Sequence, residues 1–250
     1  MLGLKVKIDC LNFATFRKPT STSLLLSYSI PPYTTIRGLL ANALGMKRDD
    51  YALQDEIKIG INPIKYSDKS KELAKTLKLI SRDSKFRCIS CNNSWITTTK
   101  SKECPRCKSA EIREIPNYKR VFSSTPMFKE ILITPRYDIY LGGEGGRIKQ
   151  LYNALIQPSR PLYIGASDDL VDTEVTEPFE ITQNTAHSII GVIEGIHENC
   201  IIEKIPYKFT KQGKDYSLEY KTISIPLNGV INLNREVSSW QFGNENVWLM

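Results

Sequence analysis

The stretch Ser27 to Gly45, SYSIPPYTTIRGLLANALG, constrains the fold of this chain more than any other. Pro31 and Pro32 cannot continue a regular element, and they push the residues before them into extended geometry. A helix must therefore begin just after them, with Thr34 or Thr35 as its cap. Ile36, Leu39, Leu40, Ala43 and Leu44 then fall at i, i+3, i+4, i+7 and i+8, a stripe that must face a core, and Gly45 supplies the left-handed stop. Arg37 sits in the same first turn beside free backbone N–H groups. The helix start is thus a candidate anion site as well as a packing element.

Around this helix the chain alternates. Leu2, Leu4, Val6, Ile8 and Cys10 are spaced by Gly3, Lys5, Lys7 and Asp9, the period of a strand with one buried face. Between strand and helix lie Arg17 and Lys18, the hydroxyl run Thr20 to Ser23 with Ser21 and Thr22, and Tyr28. Basic, hydroxyl and aromatic side chains in an irregular segment suit a single-stranded nucleic acid, and an ordinary polar loop is the alternative. Ile57, Ile59 and Ile61 predict a second strand ending near Pro63. Asp68 to Ile80 fits a helix with a narrow stripe of Leu73, Leu77 and Ile80. Its other face, Lys69, Lys71, Lys75, Lys78 and on to Arg82, suits either solvent or an RNA backbone.

Ile131 to Leu141 predicts a strand broken at Pro135. GGEGG then opens a helix whose stripe is Ile148, Leu151, Tyr152, Leu155 and Ile156. The glycine loop lacks the Lys-Ser/Thr of a P-loop, so an RNA phosphate near Arg147 fits it better than a nucleotide, with a flexible turn as the plain alternative. Pro161 to Ser167 reads as a short buried strand. Strand and helix thus occur twice, a β-α-β-β-α-β plan. The acidic run Asp168, Asp169, Asp172, Glu174, Glu177 and Glu180 should avoid RNA and face a basic neighbour or solvent. The remainder, 171–250, is rich in β-branched residues and predicts a β-rich C-terminal region, with Trp240, Phe242 and Trp248 closing a small core.

The order strand, FRKPTSTS, SYSIPPYTTIRGLLANALG resembles the N-terminal half of the CRISPR-associated RAMP subunits of the fifth Cas family. PLYIGASDDL is similar to that family's L-G-x-S segment. The resemblance implies an α+β fold, a ferredoxin-like or RRM-like RAMP domain over 1–170. It also implies an RNA ligand, the 5′ handle of CRISPR RNA (crRNA) in a type I Cascade-like complex. The RNA-facing candidates are Arg17, Lys18, Ser21, Thr22, Tyr28, Thr34, Thr35, Arg37 and Arg147, with Tyr28 available for stacking and Arg37 for phosphate. The partners implied are crRNA and the backbone and large subunits of the effector, in a hetero-oligomeric complex.

Cys88-x2-Cys91 and Cys104-x2-Cys107 form two thiolate pairs separated by twelve residues, the spacing of an all-cysteine structural zinc site. This predicts an inserted zinc ribbon over 85–115, which the typical member of the resembled family lacks. Four sulfurs leave no open coordination position, so the Zn2+ is structural: a segment whose main apolar mass is Trp95 and Ile96 needs it to fold. Lys100, Lys102, Arg106 and Lys108 leave open whether the ribbon binds RNA or a neighbouring subunit.

The net charge of +7, from 34 Lys and Arg against 27 Asp and Glu, favours a polyanionic partner. No membrane span or signal peptide is expected. Cys10 and Cys200 lie in apolar stretches that suit reduced thiols, so a cytoplasmic protein is expected. RNA cleavage without metal needs a general base, most often histidine. His187 and His197 are the only two, both in the C-terminal region. Tyr118, Lys119 and Arg120 offer other groups without an adjacent histidine. The expectation is an RNA-binding structural subunit without catalysis. An endoribonuclease processing repeat RNA and a zinc-ribbon protein adaptor are the alternatives.

Overall fold

A computed structural model describes residues 1–19, 24–65, 69–79, 83–115, 122–213 and 215–250. Ser21, Thr22, Asp68, Ile80, Arg82 and Tyr118 to Arg120 lie outside the described residues. The chain divides into two compact units, one built from Met1–Glu72 with Lys129–Met250 and the other from Leu73–Phe128.

The first unit begins with β1 (Leu2–Cys10), α1 (Tyr33–Ala43) and β2 (Ile57–Lys65). After the second unit the chain returns as β8 (Arg136–Gly143), α2 (Gly145–Ile156) and β9 (Val171–Val175). These strands stand in the order β9-β1-β8-β2, every neighbouring pair antiparallel. The alternation along β1 puts Leu4, Val6 and Ile8 opposite Leu141, Ile139 and Tyr137, and Ile59 and Ile61 continue the rows. This face meets the buried stripes of α1 (Ile36, Leu39, Leu40, Ala43) and α2 (Ile148, Leu151, Leu155) in one core. Gly45 takes the left-handed conformation expected of it, with φ +70°. Ile156, placed in the α2 stripe by periodicity, instead ends the helix in solvent. Cys10 is buried on the same sheet face, and burial pushes its thiol up to about 12.

The C-terminal region consists of strands as expected. β11 (Cys200–Gln212) and β12 (Asp215–Pro226) join the helix-side core through Ile205, Ile223 and Ile225, whereas the opposite face of the sheet is covered by a layer of β10 (Thr182–Ile190), β13 (Val230–Phe242) and β14 (Glu245–Val247). Close approach is possible because Gly60 and Gly142 face it; a Cβ there would stand 2.6 Å from Val247 and 2.8 Å from Leu249. Tyr140, Ile181, Phe242, Val247 and Leu249 form the resulting core, and Trp248 joins a separate cluster with Ile189, Ile193 and Ile231. Lys5 pins the layers together, 3.0 Å from both Asp138 and Glu245. Burial alone would lower its pKa, but these two carboxylates raise it. No helix among the described residues is long and apolar enough to cross a membrane.

Two expectations are corrected here. Lys69 to Leu79 is not helix but strand β3, paired with β7 (Phe122–Ile133). Lys, Glu, Leu and Ala favour helix locally, but the stripe is too narrow to compete with strand pairing, and Leu73 is exposed. Pro161 to Ser167 makes only an isolated bridge, Tyr163 to Leu170, although Leu162 and Ile164 are buried.

In the second unit, β4 (Ser84–Cys88) is the middle strand of a three-stranded sheet between β5 (Ser94–Thr97) and β6 (Ile112–Ile115). Trp95 stacks on Phe86 at 5.9 Å as the inner face requires, whereas Ile96, expected inside, is the next residue along β5 and points outward, 61% exposed.

Candidate nucleic-acid interface and metal centre

In the first unit, residues 16–18 pair with residues 26–28 through an Arg17–Ser27 bridge and bonds from Lys18 N–H to Leu26 O and from Tyr28 N–H to Phe16 O, each 2.8 Å. Ser27 is fully buried. Its hydroxyl accepts from Phe16 N–H and donates to the Tyr28 carbonyl, both at 2.9 Å. Glu203 on β11 accepts from Lys18 Nζ and from Ser29 N–H, again at 2.9 Å. Residues 16–18 and 26–29 are thereby held together by buried and half-buried polar contacts.

A turn from the other half of the unit closes on this hairpin. Asp169 is buried, and its Oδ2 accepts from Thr15 N–H at 3.0 Å and Ala166 N–H at 3.1 Å. Burial raises the Asp169 pKa against these two bonds. Gly165 makes the turn possible: φ is +88°, and a Cβ there would stand 2.5 Å from the Thr15 carbonyl oxygen. Asp169 is thus a latch rather than part of a solvated or partner-facing acidic run.

Between hairpin, helix start and turn lies a groove of about 380 Å³, lined among others by Arg17, Thr34, Thr35, Lys129, Gly165 and Ala166. Arg17 is exposed, and Thr34, Thr35 and Lys129 are partly exposed, so cationic and hydroxyl groups open on one cavity. The threonines do not cap α1: Pro32 is the cap residue, and its carbonyl accepts from Thr35 and Ile36 N–H. Their hydroxyl groups are therefore not spent on the helix end. Lys129 and Gly165 carry no local sign of this role, since they meet the helix start only through the tertiary fold.

The other candidates are placed elsewhere. Tyr28 is buried, with Lys18 5.1 Å from its ring centre, and burial pushes its phenol up to about 12; it cannot stack a base in this position. Lys18 is paired with Glu203. Arg147 is held 2.6 Å from Glu56 and bonds Gln150. Arg37 is 7% exposed, its guanidinium 5.1 Å from the Tyr207 ring centre and donating through Nη1 to the Tyr207 carbonyl. Its Nε and Nη2 are buried without a partner among the described residues, and burial lowers its pKa. Arg37 therefore packs α1 onto β11. Arg37→Ala is expected to lower stability by about 2 kcal/mol through lost packing. It should leave the salt dependence of RNA binding unchanged. Urea unfolding and a salt titration check the two halves of this prediction.

In the second unit the two cysteine pairs form matching turns. Cys88 N–H bonds Asn93 O and Cys104 N–H bonds Ser109 O, each 2.8 Å, and the residue after each second cysteine is left-handed, Asn92 at φ 55° and Lys108 at 61°. The four sulfurs lie within 4.8 Å of one another, with Cys88–Cys107 at 3.5 Å and Cys91–Cys104 at 3.6 Å. A tetrahedron with metal–sulfur bonds of about 2.3 Å has edges of about 3.8 Å, so the donor set fits a closed metal site. The clustered thiols titrate together: burial pushes Cys104 up, but the N–H groups of Cys107 and Arg106 and the neighbouring thiols outweigh it and lower its pKa, while at Cys107 the Ser109 N–H is outweighed by hydrogen bonds to the other thiols, which raise its pKa.

No curated protein sequence matches the chain. Among solved structures it is similar to a chain of a "CRISPR RNA-guided surveillance complex", with 10% identity and a TM-score of 0.52 over 93% of this chain and 95% of that one. It also aligns with a CRISPR protein from Archaeoglobus fulgidus, with 13% identity and a TM-score of 0.49 over 99% and 98% of the two chains. The model of the CRISPR-associated protein (Cas_Cas5) family matches residues 3–241, nearly the whole length, and the chain belongs to that family.

Proposed function

We propose that this chain is the RNA-binding structural subunit of a type I, Cascade-like CRISPR effector complex in the cytoplasm, gripping the 5′ handle of crRNA and joining the backbone and large subunits. The observation that carries the proposal is the groove in which Arg17, Lys129, Thr34 and Thr35 open beside the Gly165–Ala166 turn on a chain of the Cas5 family. The cations neutralise phosphates, and the threonine hydroxyl groups position the backbone. The sheet order β9-β1-β8-β2 with crossovers through α1 and α2 supports a ferredoxin-like RAMP core, which holds the groove at one end of its first helix. The similar chain comes from a CRISPR RNA-guided surveillance complex, which supports a place in such an assembly.

The metal is Zn2+, held by Cys88, Cys91, Cys104 and Cys107, and its work is structural. The subunit is not catalytic on this proposal. His187 lies beside Glu236 and the Leu233 carbonyl, His197 beside the Glu194 carbonyl, and neither lines the groove. Without a histidine base at the groove among the described residues, bound RNA is on this reading held rather than cut.

The double variant Arg17→Gln/Lys129→Gln tests the groove. With two phosphates of a single strand no longer neutralised, the slope of log Kobs against log salt for a handle-bearing RNA should flatten by about 1.4. A folded double variant with the wild-type slope would remove the groove from the RNA path.

A further inference from the structure

The ribbon sheet has two faces of different character, fixed by register. Along β4, Phe86 and Cys88 are buried while Lys85 and Arg87 are exposed. Lys85 stands opposite Ile96 on β5 and Ile115 on β6; Arg87 stands opposite Ser94 and Arg113. Residues directly opposite share a face. The outer face therefore carries Lys85, Arg87 and Arg113 with Ile96 and Ile115. Glu114 is opposite Phe86 and belongs to the inner face. The other nearby acids are engaged: Glu103 pairs with Lys108 at 3.5 Å, Glu111 accepts from Ser90, and Asp83, two residues before Lys85, also has a partner. Among the described residues no ion pair involves Lys85, Arg87 or Arg113.

Two like charges directly opposite each other weaken a sheet, so the Arg87–Arg113 pair is a local conflict that the ribbon gains nothing by keeping unless an anion relieves it. We infer that this outer face of the ribbon is a second nucleic-acid contact, separate from the groove, on which Lys85, Arg87 and Arg113 hold a phosphodiester backbone. The geometry suits a chain of phosphates better than one carboxylate. Lys85 and Arg87 lie about 7 Å apart along the strand, Arg113 sits beside Arg87 on the next strand, and guanidinium forks match phosphate oxygens. The exposed Ile96 and the partly exposed Ile115 give sugars or bases an apolar surface between the cations. The four sulfurs lie in the knuckles at the end of the sheet, leaving the outer face to the ligand.

The full-length triple variant Lys85→Gln/Arg87→Gln/Arg113→Gln tests this, with labelled single-stranded handle RNA and labelled duplex DNA titrated in parallel over a salt series. Its metal content should equal the wild type's and its melting temperature should be equal or slightly higher, because all three side chains are exposed and the Arg87–Arg113 repulsion is removed. The salt slope should flatten by about 2 on the RNA or by about 3 on the duplex. A change on the duplex alone assigns the face to duplex DNA, and a change on the RNA assigns it to the guide. Wild-type slopes on both probes overturn the inference and leave an acidic protein as the partner this face fits. Wild-type protein that binds neither probe would sink this inference and the groove proposal together. Binding that only Arg17→Gln/Lys129→Gln weakens would sink this one alone.

Discussion

Cys104→Ser is expected to strip the metal and unfold the ribbon while the groove-bearing unit stays folded. Apart from Cys88 and Cys104 themselves, the only buried apolar side chain among the described residues of the ribbon is Phe86. Burying one phenylalanine stabilises by about 2–3 kcal/mol. Ordering a single residue costs about 1–2 kcal/mol, so the sheet of β4, β5 and β6 cannot persist on that contact. Structural zinc contributes about 10–16 kcal/mol in finger peptides. Serine at position 104 removes one thiolate and leaves a poorer ligand set, so most of that contribution is lost. The readouts are metal content by mass spectrometry, near-ultraviolet circular dichroism of Trp95, and trypsin cleavage at Lys85, Arg87, Lys100 and Lys102. The wild type treated with a strong chelator should give the same pattern. A metal-free variant with wild-type dichroism and wild-type protection from trypsin would show that the cysteines do not hold the ribbon.

The four-cysteine cluster is legible in the sequence because all of its members are local: two Cys-x2-Cys turns state their own geometry. The same holds for β1, whose alternation puts Leu4, Val6 and Ile8 in one row, and for α1, whose stripe ends at a glycine in the conformation expected of it. β3 reads wrongly as helix because its partner β7 begins more than forty residues after β3 ends, and the residues between Lys69 and Leu79 carry stronger helix than strand preference. Long-range pairing overrides that local preference.

The groove is only half legible, for a related reason. Arg17, Thr34 and Thr35 can be singled out as polar groups near one helix start, and the fold does bring them together. Tyr28 and Arg37 have the same composition signal but face inward, because the hairpin of β11 and β12 covers them. The Tyr207 carbonyl that receives Arg37 is 170 residues away in sequence. Asp169 looks like one more charge in an acidic run, yet its carboxylate accepts two backbone N–H groups. Burial of a polar residue is decided by what folds over it, and no local pattern encodes that.

Gly165→Ala is expected to be among the most damaging single-methyl changes in the chain. Two penalties coincide at this position. At φ +88° any side chain is strained, and the added Cβ would sit 2.5 Å from the Thr15 carbonyl oxygen, a backbone atom that cannot rotate away. Relief requires the turn to retreat from Thr15, which breaks one or both N–H bonds to Asp169 and leaves a buried carboxylate underpaired. The combined loss should be about 3 kcal/mol, a fall in melting temperature of about 6–12 °C for a chain of this size. Gly243→Ala separates the two penalties, since Gly243 has φ +60° and nothing within 4 Å of an added Cβ; strain alone should cost it about 1 kcal/mol. Because the displaced turn forms one wall of the groove, Gly165→Ala should also weaken handle RNA binding at every salt concentration without flattening the slope, as no cation is lost. If the two alanine variants melted together, the contact between Gly165 and Thr15 would hold nothing in place, and the wall beside Arg17 and Thr34 would have to be positioned by the helix start alone.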